Sequence, residues 1–421
     1  MRANLLQDRK ALLLAVQTPD ISDADLADSL QELEDLAASV GCRVVGKMVQ
    51  PRARIHPGTY LGKGKLEQAK ASMGNCGTDL VLFDNNLTPS QGDNVERALG
   101  EMVMDRTQLI LEIFGRNVRT HESRIQVELA QLEYMLPRLV GMWAHLDRER
   151  GGIGGTKGAG EKQIDIDRSL IRQRIARLKK ELRHIAQERH TQNKRRSNCF
   201  LVNLVGYTNA GKSTLMNRLT SAGVTVENRL FATLDPTTRV LTRENRPPIL
   251  LSDTVGFLKR LPHELVASFH STLEMVRDAD LLLHVVDISH PQYEEQIAIT
   301  EEVLREIGAA TNPRMLVFNK TDRLDDKLTL RVARKQNPEA VFISALQDDG
   351  GELMAHINAF FEKSMVTTPL LLEYADYGDL SKIYKWGRVD ELRYEDDGIH
   401  LTVTSTPANL ERIRSQLPAA R

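Results

Sequence analysis

Hydrophobic and polar positions follow different periods in different stretches of this chain, and each period predicts an element. Residues 11–16 are an unbroken apolar run, the pattern of a strand covered on both faces. From Asp23 the spacing changes. Leu26, Leu30, Leu33, Ala37 and Val40 recur at helical intervals, and Gly41 stops them. Val44, Val45, Met48 and Val49 are strand-like, 80–83 is another apolar run, Thr88-Pro89-Ser90-Gln91 reads as a helix start, and the run 109–111 closes the unit. Alternating strand and helix signals predict a small α/β domain over residues 1–115, with a largely parallel sheet.

The period changes again over residues 116–196. Ile125, Leu129, Leu132, Leu136, Leu139 and Trp143 are spaced by four and three, and so are Ile171, Ile175, Leu178, Leu182 and Ile185. Two such stripes predict a pair of helices packed as an antiparallel hairpin, with Pro137 kinking the first. Six of the ten residues 151–160 are glycine, so the connection is flexible and nearly bare of side chains.

Residues 197–365 return to short apolar runs, at 199–205, 249–251, 281–286, 315–318 and 341–343. Over 366–421 a weaker pattern remains. Residues 399–403 alternate as a strand, and 407–416 read as a helix with Leu410, Ile413 and Leu417. The expected fold class is therefore multidomain α/β, ending in a small α+β domain.

Composition narrows the class. Of 421 residues, 41% are hydrophobic and 27% charged, ordinary for a globular chain. Three cysteines, Cys42, Cys76 and Cys199, have no paired spacing, which points to a reducing compartment and away from zinc. The run 12–16 is too short for a leader core, and no run approaches a membrane span. A cytoplasmic monomer without membrane insertion is expected. The net charge of −1 hides an asymmetry: residues 138–196 hold 16 Lys and Arg against 7 Asp and Glu. Positive charge beside a thin glycine loop suits a phosphate-lined RNA cavity. Arg148, Arg150, Lys157, Lys162, Arg168, Arg172 and Arg174 are the candidate contacts.

The chemistry centres on Gly206-Tyr207-Thr208-Asn209-Ala210-Gly211-Lys212-Ser213, which fits G-x-x-x-x-G-K-[ST]. An apolar run precedes it, and a helix opening at Ser213 and Thr214 follows. That order aims backbone N–H groups and a helix N-terminus at one anion. Lys212 adds a point charge for the β- and γ-phosphates, and the Ser213 hydroxyl can ligate Mg²⁺. The base is set by Asn319-Lys320-Thr321-Asp322, after the run 315–318. A carboxylate at Asp322 can accept from guanine N1–H and its exocyclic amine, a donor pair that adenine lacks. Asn319 can tie this loop to the phosphate loop, and the Lys320 stem can cover the base. In Asp253-Thr254-Val255-Gly256, Asp253 can hold Mg²⁺ through water, and the Gly256 N–H can reach the γ-phosphate. Ser344-Ala345-Leu346 can meet the guanine carbonyl through backbone. Four elements in order at strand ends fit the ligand rule of open α/β sheets. Residues 197–363 resemble the small GTPase superfamily. In the expected first switch, 228–239, Thr233, Thr237 and Thr238 all qualify as the Mg²⁺ threonine, and Asp287 reads as a structural cap.

Gly62-Lys63-Gly64-Lys65 lacks the G-K-[ST] ending and reads as a turn before a helix, while Asp84-Asn85-Asn86 reads as a cap. The stretches YLGKGK (60–65), LTPSQGDNVE (87–96), GGIGGTKGAGE (151–161), FATLDPTTR (231–239) and DTVGF (253–257) give a longer match. Over essentially its full length the chain resembles the HflX family, translation-factor-class GTPases of the Obg–HflX group. The resemblance implies a P-loop GTPase domain preceded by a nucleotide-binding-like α/β subdomain and a helical one. It implies binding to the large ribosomal subunit and its RNA near the peptidyl transferase centre, and splitting of stalled ribosomes under heat stress. It assigns the Mg²⁺ threonine to Thr233, within a nucleotide-contacting run of Phe231, Ala232, Thr233, Leu234 and Asp235. Lys212, Thr233 and Gly256 are then the expected catalytic set. ATP at the N-terminal domain is a further ligand the resemblance brings in, although no complete phosphate loop stands there. A second reading makes the chain a GTP-dependent switch on another RNA or partner.

Overall fold

A computed structural model describes residues 6–139, 159–194, 199–220, 231, 237–242, 247–259, 270–324 and 326–416. The chain divides into two compact units. One holds residues 1–186 with 228–235 and 259–271; the other holds 187–227, 236–258 and 272–421.

The first unit opens with β1 (Lys10–Gln17), α1 (Asp23–Ser39), β2 (Arg43–Pro51), α2 (Lys63–Cys76), β3 (Leu80–Phe83), α3 (Pro89–Leu99), β4 (Met102–Asp105) and α4 (Arg106–Asn117). The strands form one parallel sheet in the order β2-β1-β3-β4. Leu12, Leu14, Val81 and Phe83 meet Leu66, Met73 and Val95 of the helices in its core. The helix start at Thr88 is a full capping box with Gln91. One element departs from expectation. Residues 109–111 lie in α4, and the closing strand is the unforeseen β4. A short apolar run does not by itself separate strand from buried helix, because either element can bury it completely.

The two heptad stripes become α5 (His121–Met135) and α6 (Ala159–Lys194). Ile125, Leu129 and Leu132 pack against Ile175, Leu178, Leu182 and Ile185, as the spacing predicts. Pro137 does not kink the first helix. The α-helix stops at Met135 and a 3-10 turn, Leu136–Arg138, follows. Proline has no N–H to donate to residue 133, and its ring crowds that carbonyl. Ala159 and Gly160 of the glycine-rich connection already belong to α6. The rest of that connection, and Trp143, lie outside the described residues.

The second unit carries a six-stranded sheet. It contains β5 (Phe200–Val205), α7 (Lys212–Thr220), β6 (Thr237–Thr242), β7 (Ile249–Asp253), α8 (His270–Arg277), β8 (Leu281–Asp287), α9 (Tyr293–Glu306), β9 (Arg314–Asn319), α10 (Lys327–Gln336), β10 (Val341–Phe342) and α11 (Gly351–Glu362). The order is β10-β9-β8-β5-β7-β6, and β6 runs antiparallel at the edge. The chain leaves β5 toward β7 on one side and takes β8 on the other. The loop after β5 therefore sits at the switch point where such sheets bind ligands. Val202, Leu204, Leu251, Leu283 and Val285 form the core below it with Leu353 and Ile357.

The tail is an antiparallel sheet, β11-β13-β12, made of β11 (Val366–Leu372), β12 (Arg388–Glu395) and β13 (Gly398–Ser405). A 3-10 turn (Tyr374–Asp379), α12 (Leu380–Trp386) and α13 (Pro407–Gln416) complete it. The strand and helix expected at 399–403 and 407–416 are present, and β11, β12 and α12 were not foreseen.

Candidate active site

The phosphate loop is shaped by contacts that only glycine permits. Gly206 has φ 144°, and a Cβ there would lie 2.2 Å from the Val285 carbonyl oxygen. Gly211 has φ 94°, and its Cβ would fall 2.2 Å from Asn319 Nδ2. The turn thus needs both a left-handed backbone and no side chain. Lys212, the first residue of α7, is buried and donates to the carbonyls of Gly206 at 3.0 Å and Tyr207 at 2.8 Å. Burial draws its pKa down to about 8; Asp253 opposes that shift and Lys320 adds to it. The ammonium is therefore charged at neutral pH and held where water screens it little.

Beside it, Ser213 Oγ donates to Asp253 Oδ2 at 2.6 Å. A hydroxyl and a carboxylate in contact, next to the phosphate loop, form the hard oxygen set that suits Mg²⁺. Thr254 is engaged elsewhere, donating to the Leu204 carbonyl at 2.6 Å. The next turn is stitched to the loop. Thr208 N–H donates to Phe257 O at 2.8 Å, and Phe257 N–H to Gly206 O at 3.1 Å. A Cβ on Gly256 would come within 2.8 Å of Thr208 Cα and 2.9 Å of Lys212 Nζ. Val255 and Phe257 are buried, so the Phe257 ring belongs to the packing rather than to the reacting atoms.

The base loop is cross-braced. Asn319 Nδ2 donates to Ala210 O at 2.8 Å, which is the tie to the phosphate loop expected of it. Its Oδ1 accepts from Ala345 N–H at 2.9 Å, so one side chain clasps both loops. Lys320 takes φ 63° and pairs with Asp287 at 2.6 Å. Asp287 also caps the next turn through Ser289 N–H, so it both caps and aims Lys320. Asp322 is exposed, and Ser344 Oγ donates to its Oδ1 at 2.5 Å. Leu346 is exposed as well. No motif points to Arg218 as part of this site. Its guanidinium, from α7, donates to the carbonyls of Ala345 and Leu346 and so braces that loop from below. An arginine in the last turn of a helix has no motif to mark it.

Of the first switch, Phe231 and the residues from Thr237 onward are described; Ala232, Thr233, Leu234 and Asp235 are not. Thr238 is no longer open as a metal ligand, since its hydroxyl meets Ser252 Oγ at 2.8 Å inside the sheet. Phe231 is 3% exposed with φ 57°. Within the first unit its ring stands edge-on to Phe114 at 4.6 Å, and Asn117 Nδ2 donates to its carbonyl at 2.9 Å. Phe114 and Asn117 thus grip the start of the switch, a role their place on an ordinary amphipathic helix did not announce.

The remaining candidates separate. Arg148, Arg150 and Lys157 lie outside the described residues, and Lys162 is on α6. Arg172 and Arg174 are exposed and Arg168 half-buried. Arg174 already makes a two-pronged pair with Glu128 at 2.7 and 2.9 Å, so it links the helices before it meets any phosphate. Gly62 caps α2, as the turn reading expects, and its N–H donates to Gln50 Oε1 at 2.8 Å. Asp84 is buried and takes Arg106 at 2.7 Å and Ser29 Oγ at 2.9 Å; Arg106 also pairs with Glu32. Asn85 accepts from Val16 N–H at 3.0 Å, and Asn86 from Thr107 Oγ1 at 2.9 Å. These groups hold the first sheet together.

Family comparisons agree with this geometry. Residues 201–320 match a family described as 50S ribosome-binding GTPase. Residues 27–115 match the GTP-binding GTPase N-terminal family, and 117–196 the GTP-binding GTPase middle region. A GTPase HflX of Lacrimispora saccharolytica is 44% identical over 395 residues, covering 93% of this chain and 92% of that one. The GTPase HflX of Escherichia coli is 39% identical over 403 residues, covering 94% of each. A GTP-binding protein from the archaeon Sulfolobus solfataricus, solved in complex with GDP, is 26% identical, with 83% of this chain and 98% of that chain covered at a TM-score of 0.45.

Proposed function

The chain belongs to the HflX family of GTPases, and from that premise we propose that it binds the large ribosomal subunit in its GTP state. In this reading it splits or recycles stalled ribosomes under heat stress and leaves after hydrolysis. The four segments 1–115, 116–196, 197–365 and 366–421 act as its domains. Within the third, the phosphate loop 206–214 orients the triphosphate, and Lys212 offsets charge on the β- and γ-phosphates. Ser213 and Thr233, with Asp253 through water, would hold Mg²⁺, which when bound would draw charge from the phosphate oxygens. Asp322 reads guanine, and the Gly256 N–H follows the γ-phosphate.

Phe257 carries the proposal. In Ras-like GTPases the residue after this glycine is a glutamine that orients the attacking water. Phe257 has no polar side-chain atom, and its ring is buried. Positioning and charge make up most of phosphoryl-transfer catalysis, so hydrolysis without that group is slow rather than absent. In this reading alignment comes from a partner that orders the switches (228–239 and 256–265), rather than from a local group such as Thr237, His263 or a main-chain carbonyl. The basic helical segment, 16 positive against 7 negative over 138–196, gives the ribosome a place to hold the chain.

Co-sedimentation with purified subunits tests this. The chain loaded with a non-hydrolysable GTP analogue should pellet with large subunits, and the GDP form should not. Deleting 152–158 should abolish pelleting while leaving GTP affinity intact. Equal pelleting in both nucleotide states, or none in either, would favour a switch acting on another RNA or partner.

A further inference from the structure

The C-terminal domain leaves four tyrosines uncovered. Tyr374, Tyr377, Tyr384 and Tyr394 are 50%, 54%, 46% and 57% exposed. They come from the 3-10 turn, α12 and β12, yet they gather at one place. Tyr377 foremost, with Tyr384 and Tyr374, lies near enough to Tyr394 to hold its ionisation above the ordinary tyrosine value. Tyr374 Oη donates to the Glu395 carbonyl at 2.8 Å. The domain does not need these rings to fold. On α12, Ile383 and Trp386 face its core with Leu372, Leu401 and Ile413, and Tyr384 faces out. Exposed aromatic side chains grouped in this way suit an interaction site. Tyrosine suits one, because it offers a large flat contact with only two torsions to fix.

Charge selects the occupant. Residues 373–400 hold eight Asp and Glu against four Lys and Arg, the reverse of the helical segment. Three of the four cations already have partners: Lys382 with Asp379 at 2.7 Å, Arg388 with Asp390 at 2.7 Å, and Arg393 with Glu391 at 3.1 Å. A polyphosphate backbone would be repelled by this face. A guanidinium or ammonium is attracted twice, by the carboxylates and by the negative faces of the rings.

We propose that the tyrosine face of the C-terminal domain is a docking site for an Arg- and Lys-rich segment of a protein partner. It would give the molecule two contacts of opposite sign, basic helices toward nucleic acid and an acidic aromatic face toward protein. The proposal does not depend on the ribosome reading, because the binding is measured without ribosomes.

The test is fluorescence anisotropy on the full chain with two labelled probes, a ten-residue Arg/Lys peptide and a ten-nucleotide oligouridylate. In Tyr377→Ala/Tyr394→Ala the peptide should bind at least about tenfold more weakly, with oligouridylate and GTP affinity unchanged. Tyr377→Phe/Tyr394→Phe keeps the rings and should retain peptide binding. In the wild-type chain the peptide should slow hydrogen exchange across 374–394, a readout that needs no variant. Equal peptide affinity in wild type and the alanine variant, or no protection of 374–394, overturns the proposal. A selective loss of oligouridylate binding in the alanine variant overturns it too, making the face a nucleic-acid surface.

Discussion

The four-stranded and six-stranded sheets of this chain both end parallel strands on acidic and amide side chains, and the two sets are used differently. In the first sheet Asp84 is locked to Arg106 and Ser29, and Asn85 to the Val16 backbone. Asp105 takes the N–H groups of Leu87 and Gln108 and the Tyr134 hydroxyl. In the second sheet the strand ends run into glycine turns. Asp253 meets the hydroxyl that opens α7, Asn319 clasps two loops, and Asp322 is exposed. A strand's C-terminal end is a favoured ligand position, but whether it serves as one depends on whether neighbouring side chains already satisfy its polar groups.

The comparison is broken most forcefully at Arg106. Arg106→Ala leaves Asp84 and Glu32 without their cation in a buried setting, at a cost of about 3–5 kcal/mol. Amide exchange in β1 and β3 should quicken by roughly two orders of magnitude or more, while β5 and β7 and the GTP affinity stay as they were. If GTP affinity fell together with the exchange protection, the first sheet would be more than scaffold.

A smaller effect is expected at Asp322. Asp322→Asn replaces two acceptor sites by one acceptor and one donor. It should weaken GTP by about 3 kcal/mol, roughly a hundredfold, and favour xanthosine triphosphate, with unfolding unchanged. Fluorescent-nucleotide titration reads both affinities, and undiminished GTP affinity would remove Asp322 from the base site.

The smallest effect comes from pH. Burial lowers Lys212 to about 8, and phosphate binds its charged form. Below about pH 8 the proton is already in place and GTP affinity should be flat. Above it, binding must take up a proton, so affinity should weaken by up to about tenfold per pH unit. A flat profile through pH 9 to 10 would mean that the ammonium is not the group that meets the phosphates.

The nucleotide site was legible because its chemistry is written in contiguous residues. Gly206, Gly211 and Gly256 are forced by approaches of 2.2–2.9 Å, and such approaches leave a fixed spacing in the chain. The seam of α5 and α6 was legible for a similar reason, since Ile125, Leu129 and Leu178 follow one period. What stayed hidden is assembled across distance. Arg218 reaches the 345–346 carbonyls from another element, and Phe114 and Asn117 meet Phe231 more than a hundred residues on. The tyrosine face draws on three elements and has no spacing of its own. The four-residue β4 was too short to show a period.

The most direct test of the account is the single-turnover rate of GTP hydrolysis, measured with and without purified large subunits. With Phe257 buried where a water-orienting glutamine would stand, the intrinsic rate should be slow. Large subunits should raise it by at least about a hundredfold, and the chain lacking 152–158 should not respond. A fast intrinsic rate, unchanged by subunits and lost in Thr237→Ala or His263→Ala, the polar side chains of the two switches that could orient the water themselves, would contradict the account and place the water-orienting group within the chain.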